Sequence, residues 1–222
     1  MTPNLVADLD SRIAARHLLL HPFYRAWSDG TLTMDQLKTY AKQYYWQVEA
    51  FPRYVSGVHS QCADTSVRRE LLENLVTEEG GQTSHAELWL RFCESLGVSR
   101  DEVFAEEPLP ETIACVERML AATQRQGFDA GVAALYAYES QIPAVAKTKL
   151  EGLAAHYGID NARAISFFTE HLSADTIHAE VERTMLAKAD LGAARAGVEE
   201  TLAAVNGILD GVCRAANVRM AA

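Results

Sequence analysis

Residues 167–178 read Phe167-Phe168-Thr169-Glu170-His171-Leu172-Ser173-Ala174-Asp175-Thr176-Ile177-His178. The polar groups in this stretch have helical spacing. His171, Asp175 and His178 stand at i, i+4 and i+7, which at about 100° per residue puts them within roughly 60° of one another on one face. Two imidazoles and a carboxylate make an unusual stripe. The neighbours Phe167, Phe168, Leu172 and Ile177 are apolar and predict burial. A buried carboxylate with no partner is very costly, and a bound cation removes that cost.

Working outward, the helical period holds nearly everywhere, and no run of alternating β-branched residues marks a strand. The first helix is expected over about Pro3–Leu20, followed by a short one through Pro22–Trp27 that Asp29-Gly30 ends. Thr33 and Gln36 have capping-box spacing. They open a helix to about Gln61, on the order of 40 Å long, with Pro52 predicted to kink it near Val48. Further helices are expected over Thr65–Glu79, interrupted by Gly80-Gly81, then Thr83–Leu96, and a short turn after Ser99, which forms a second capping box with Glu102. Three long helices are expected at Glu111–Gln126, Asp129–His156 and Asn161–Ala189, and a last at Ala194–Ala216, with Gly127, Gly158 and Gly192 as punctuation. The reading is all-α: one domain over residues 1–222, built as a bundle of about seven long helices.

Composition narrows the function. The formal net charge is −10 over 222 residues, with 49 % hydrophobic residues. That balance excludes the basic face of a nucleic-acid binder and disfavours an anionic membrane surface. Cys62, Cys93, Cys115 and Cys213 are far apart, with no C-x-x-C pair, and read as reduced core thiols. No signal peptide opens the sequence and no apolar run spans a bilayer, so a cytoplasmic location is expected.

Two more segments join the His171 stripe. Glu78 and His85 flank Gly80-Gly81; they share a face if the helix is unbroken, or are aimed at one point if the glycines bend the chain. Glu139 sits in the apolar run Ala133–Tyr138, four residues before Pro143, which cannot donate to the Glu139 carbonyl. Taken singly, each histidine reads more simply as a core residue and Glu78 as a solvated one. Together, Glu78, His85, Glu139, His171, Asp175 and His178 are three carboxylates and three imidazoles. That set suits a pair of iron or manganese ions, whereas one zinc needs three or four ligands. The pattern differs from the paired Glu-x-x-His of ferritin-like bundles.

The segments His21-Pro22-Phe23-Tyr24-Arg25-Ala26-Trp27, Tyr40–Tyr45, Glu78-x6-His85, Tyr138-Glu139 and His171-x3-Asp175-x2-His178 resemble the heme-oxygenase-like dimetal oxygenases. The similarity is to the CADD (Chlamydia protein associating with death domains) and PqqC-like branch related to TenA, of the 4-aminobenzoate synthase type. The resemblance implies a heme-oxygenase-like fold, two metal ions (Fe/Fe or Fe/Mn) on those six ligands, and molecular oxygen as co-substrate. PqqC lacks the full carboxylate set, and a TenA thiaminase would need Cys62 or Cys213 as nucleophile, which no motif supports.

The resemblance further implies a self-sacrificing reaction that makes 4-aminobenzoate for folate biosynthesis. Tyr24 matches the ring source and Lys149 the amino donor, while Tyr40 and Tyr138 match tyrosines flanking the site. Without the resemblance, Tyr24 reads more simply as packing on Phe23 and Trp27, Lys147 and Lys149 read equally well as a solvated helix face, and Tyr40, Tyr44 and Tyr45 read as core and dimer aromatics. The rival functions are a same-fold oxygenase or oxidase acting on an external small molecule, and a partner-binding protein. The partners expected are a second copy in a homodimer and an external reductant, with no nucleic acid and no membrane.

Overall fold

Helix after helix is laid down by the local signals of the chain. The computed structural model describes residues 5–81, 83–172 and 174–218. The helices are α1 (Leu5–Ala15), α2 (Pro22–Ser28), α3 (Met34–Gln61), α4 (Thr65–Leu75), α5 (His85–Ser95), α6 (Arg100–Ala105), α7 (Pro110–Arg125), α8 (Phe128–Glu139), α9 (Ile142–Gly152), α10 (Ala162–His171), α11 (Ala174–Leu186) and α12 (Leu191–Ala215). No strand occurs among the described residues. Both predicted capping boxes are present, Thr33 with Gln36 opening α3 and Ser99 with Glu102 opening α6. α3 runs through Pro52 without ending.

Among the described residues there are twelve α-helical segments against the seven or so long helices expected, because several long spans are interrupted. The span expected as Asp129–His156 breaks after Glu139: Ser140 and Gln141 form a turn, and Pro143 stands in the first turn of α9, where its missing N–H costs nothing. α9 then passes into a π-helical turn, Leu153–Tyr157. The span expected as Asn161–Ala189 divides into α10 and α11, and Ser173, between them, lies outside the described residues. α1 stops at Ala15, a 3₁₀ turn (Leu18–Leu20) carries the chain to α2, and the predicted start at Pro3 lies outside the described residues. Gly192 ends nothing. It sits in the first turn of α12, which Asp190 caps.

The buried apolar residues form one cluster reaching from Val6 to Val218. α12 packs against α8 and α7, α3 against α7, α5 and α4, α10 against α5 and α9, and α11 against α8. Phe167 and Phe168 are buried as predicted, but Leu172 and Ile177 are exposed, so the apolar face of this region is narrower than the sequence suggests. The four cysteines are buried and free. Among the described residues, no helix is long and apolar enough to cross a membrane.

The α8–α12 contact depends on Gly197, where a β-carbon would run into the Ala130 carbonyl; Gly207, on the same helix, faces open space. Gly197→Ala is expected to lower stability by about 1–3 kcal/mol through overpacking. Gly207→Ala is expected to raise it by about 0.5–1 kcal/mol through helix propensity. Urea unfolding followed by circular dichroism measures both.

Candidate metal centre

Five of the six predicted ligands sit at a helix end or a helix irregularity, and His178 lies one turn inside α11. α4 passes into a π-helical turn, Val76–Gly80, that turns Glu78 inward. Gly81 is extended, and α5 starts at His85. The Gly-Gly pair therefore breaks the helix, and the two side chains meet, with His85 Nδ1 2.8 Å from Glu78 Oε2. Glu139 is the last residue of α8, directly before the break that Pro143 enforces. His171 is the last residue of α10, and Asp175 lies in the first turn of α11 with His178 one turn on.

The division between α10, which ends at His171, and α11, which starts at Ala174, separates the predicted stripe. One triplet is Glu78, His85 and His171; the other is Glu139, Asp175 and His178. Within each, one ligand atom per residue lies within 4.8 Å of the others. Bonds of roughly 2.0–2.2 Å to a single ion would need only small side-chain movements to close on it. The distribution is thus His171 to one triplet and its two stripe neighbours to the other, which an unbroken helix would not give.

The polar atoms converge without satisfying one another. His85 lies close to Glu78, yet neither of its ring nitrogens has an aligned hydrogen bond. His178 Nδ1 is 3.3 Å from Glu139 Oε1, again out of alignment. Glu139 Oε2 and Asp175 Oδ2 have no donor. His171 Nδ1 donates to the Phe167 carbonyl at 2.6 Å, which fixes its tautomer and leaves the Nε2 lone pair free, as metal-bound imidazoles require. Lone pairs aimed at common points, in a region with almost no water, are what an ion needs, so the residues fit a metal pair.

The electrostatics agree. Burial, then the charges of Glu139 and Glu78, push the Asp175 carboxyl far above the usual range. Burial raises Glu78. Burial also works against a charged His178, but the Glu139 carboxylate beside it outweighs that and raises it. Burial lowers His171 to about 3, which keeps it a neutral ligand.

Two buried residues that sequence reasoning missed complete the surroundings. Asn74, one turn before Glu78, donates to Glu139 Oε1 at 3.0 Å. Glu182 is 1 % exposed, and neither of its oxygens has a hydrogen-bond partner. It continues the stripe of Asp175 and His178 at i+7 and i+4, and that spacing was the available signal.

Next to the first triplet is a cavity of about 10 Å³, lined by Val48, Phe51, Tyr138 and Phe167 with Glu78, His85, His171 and Asp175. It has room for one water or ion. On the other side, a cleft of about 340 Å³ between α4 and α11 reaches His178 and Glu182.

Tyr24 on α2 and Lys149 on α9 also come together, both buried. The Trp27 indole N–H donates to the Lys149 carbonyl at 3.3 Å and ties the two helices. The Tyr40 hydroxyl accepts from Lys149 Nζ at 2.6 Å and lies 3.3 Å from the Tyr24 hydroxyl. Nζ is 5.0–5.5 Å from the ring centres of Tyr24, Tyr40, Tyr44, Trp89 and Phe168. Burial lowers Lys149 to about 7 and raises Tyr24 above the usual phenol range. The solvated face expected for Lys149 holds for Lys147 instead. Tyr44 is more than a core aromatic: its hydroxyl is 2.9 Å from that of Tyr138 at the metal-side cavity, and its ring lies 5.2 Å from that of Tyr40. Tyr45 packs on Trp46 and Phe104, away from this set.

The sequence profile of the TENA/THI-4/PQQC family matches residues 8–205. The 4-aminobenzoate synthase of Chlamydia muridarum is 45 % identical over 183 residues, 82 % of this chain and 78 % of that protein. The 4-aminobenzoate synthase of Chlamydia trachomatis is 41 % identical over 210 residues, 93 % of this chain and 91 % of that protein. A solved structure from Shewanella denitrificans, a domain of unknown function with a heme oxygenase-like fold, matches with a TM-score of 0.77 at 19 % identity, covering 98 % of this chain and 95 % of the other. At that identity the likeness concerns the fold alone.

Ligation requires Asp175 and His178 to lose protons that their surroundings hold, so binding and proton release are linked. EDTA-treated protein is expected to bind Mn2+ more tightly as pH rises from about 6 to about 8, by about tenfold per pH unit for each proton displaced. Isothermal titration in buffers of different ionisation enthalpy counts those protons. A pH-independent affinity would contradict ligation by these groups.

Proposed function

This chain belongs to the TENA/THI-4/PQQC family, and from that premise we propose that it is a two-metal, oxygen-dependent enzyme that makes 4-aminobenzoate for folate synthesis from its own Tyr24. The observation that carries the reading is the pairing, in one bundle, of two ligand triplets with a dry tyrosine–lysine pocket. The names of the relatives at 41–45 % identity support the product.

In this reading Glu78, His85 and His171 hold one ion and Glu139, Asp175 and His178 the other. Carboxylates with imidazoles favour Fe/Fe or Fe/Mn over softer ions. When bound, the metals supply the redox chemistry that activates oxygen, with electrons from an external reductant. The protein does the rest. Burial keeps the Tyr24 phenol protonated, so oxidising it means removing a proton with the electron. The Tyr40 hydroxyl, 3.3 Å from that of Tyr24, is the group placed to hydrogen-bond the departing proton, and Lys149 keeps its lone pair. Tyr138 and Tyr44 link the metal-side cavity to Tyr40.

Lys149 supplies the amino group in this scheme. Its nitrogen needs a lone pair, which burial provides near neutral pH. The surrounding rings fix Nζ 5.5 Å from the centre of the Tyr24 ring and exclude competing water. The rival reading, an oxygenase for an external small molecule, draws on the cleft that reaches His178. Turnover separates the two: a sacrificed residue yields at most one product per chain, with a mass loss in the protein, and an ordinary catalyst yields many.

Tyr24→Phe is expected to keep full metal content by elemental analysis while 4-aminobenzoate falls below detection. Wild-type yield from that variant would remove Tyr24 from the reaction. In wild-type protein, single-turnover product formation is expected to rise with pH through about 7, as Lys149 loses its proton. A chromatographic assay across pH 6 to 8.5, roughly, reads this directly.

A further inference from the structure

Glu182 belongs to neither ligand triplet, yet it is a buried carboxylate beside them. It projects from α11 one turn beyond His178, it is 1 % exposed, and both its oxygens lack a donor. The group nearest to it in character is another carboxylate, Glu139. Two carboxylates that face each other in a dry interior must share a proton or a cation.

Charge balance favours the cation. Glu78, Glu139 and Asp175 contribute three negative charges, and with neutral imidazoles two divalent ions leave an excess of one positive charge. Adding Glu182 makes the centre neutral. A buried centre with a net charge is strongly disfavoured, so the fourth carboxylate has a purpose that the two triplets alone do not explain.

Glu182 also stands where a cation would arrive. On one side the first triplet faces a cavity of only about 10 Å³, lined in part by Val48, Phe51, Tyr138 and Phe167, too small to be a path for a hydrated ion. On the other, the cleft between α4 and α11 opens outward, with Glu182, His178 and Asn74 at its floor and the exposed Glu70 and Glu73 on its α4 wall. Resting on the two-metal reading, we propose that Glu182 is a seventh ligand of the metal pair and that this acidic cleft is the route by which divalent cations reach it. Glu70 and Glu73 concentrate cations at the mouth, and Glu182 takes them inward to Glu139 and His178.

The discriminating variant is Glu182→Gln. Glutamine keeps the size and can donate to Glu139, so a structural acid is replaced without loss, whereas a ligand is not. EDTA-treated proteins would be titrated with Mn2+, free Mn2+ being followed by electron paramagnetic resonance, and with Fe2+ under anaerobic conditions. Wild type is expected to bind two ions per chain. Glu182→Gln is expected to stay folded, with a melting temperature in EDTA at or above that of wild type, and to hold one ion roughly 10- to 100-fold more weakly. Glu182→Asp should recover part of that loss. The double variant Glu70→Gln/Glu73→Gln is expected to reach the same stoichiometry several-fold more slowly at low salt, with the difference disappearing at high salt.

Wild-type Mn2+ and Fe2+ affinity in a folded Glu182→Gln would overturn the ligand assignment. Unchanged loading in the double variant would overturn the route. A wild type that binds neither ion would instead remove the two-metal reading itself, a result distinguishable from both.

Discussion

Repulsion among carboxylates in a dry interior is the constraint on which this molecule is built. Glu78, Glu139, Asp175 and Glu182 are all nearly inaccessible to water. Among the described residues their close polar company is imidazole and the Asn74 amide. At an effective dielectric of about 20, two like charges 4 Å apart repel by about 4 kcal/mol. A few such pairs would consume the roughly 5–15 kcal/mol that holds an ordinary domain together. The centre must therefore be filled with protons or with cations. Three imidazoles with lone pairs turned inward, one of them with its tautomer fixed by the Phe167 carbonyl, point to cations.

The backbone is shaped to bring these groups together. Glu78 lies on a π turn, His85 opens α5, Glu139 closes α8, His171 closes α10 and Asp175 opens α11. Ends and irregularities give most of these side chains their direction, and His178 and Glu182 join them from within α11. The breaks at Gly80-Gly81 and before Pro143 cost helical hydrogen bonds and gain the site. The long regular helices α3, α7 and α12 hold the ends in place, with α12 packed on α8 and α7, and α3 on α5 and α7.

The aromatic half of the interior follows a different logic. Lys149 is enclosed by ring faces and one hydroxyl, so its amine loses the hydration that would keep it charged. Tyr24 is held in the same enclosure by the Trp27–Lys149 link. The hydroxyls of Tyr44 and Tyr138 lead back toward the ligands. The candidate ligand triplets and the tyrosine–lysine pocket are thereby joined through oxygens and rings.

Much of this was legible in the chain. Helical periodicity and capping boxes determined the all-α class and the starts of α3 and α6, and six candidate ligands stood out by residue type and spacing together with the family resemblance. Pro143 after Glu139 signalled a distortion there, though the helix was expected to continue and instead breaks, closing α8. Other features depended on contacts between segments distant in sequence. His171 parts from Asp175 and His178 because it closes α10 while they stand on α11, a division that the apolar pattern around it conceals. Leu172 and Ile177 are exposed despite that pattern. Lys149 reads as half of a solvated pair with Lys147, until α2, α3, α5 and α10 close their rings around it. Glu182 was one turn farther along a stripe already noticed, but an acid on a helix is solvated by default. The sequence by itself determined which residues could form helices and which could bind a cation, since those are properties of local spacing and side-chain chemistry. Which of them meet, and in what dielectric, was decided only by the tertiary structure, because burial and convergence belong to the packing of many helices and to no single one.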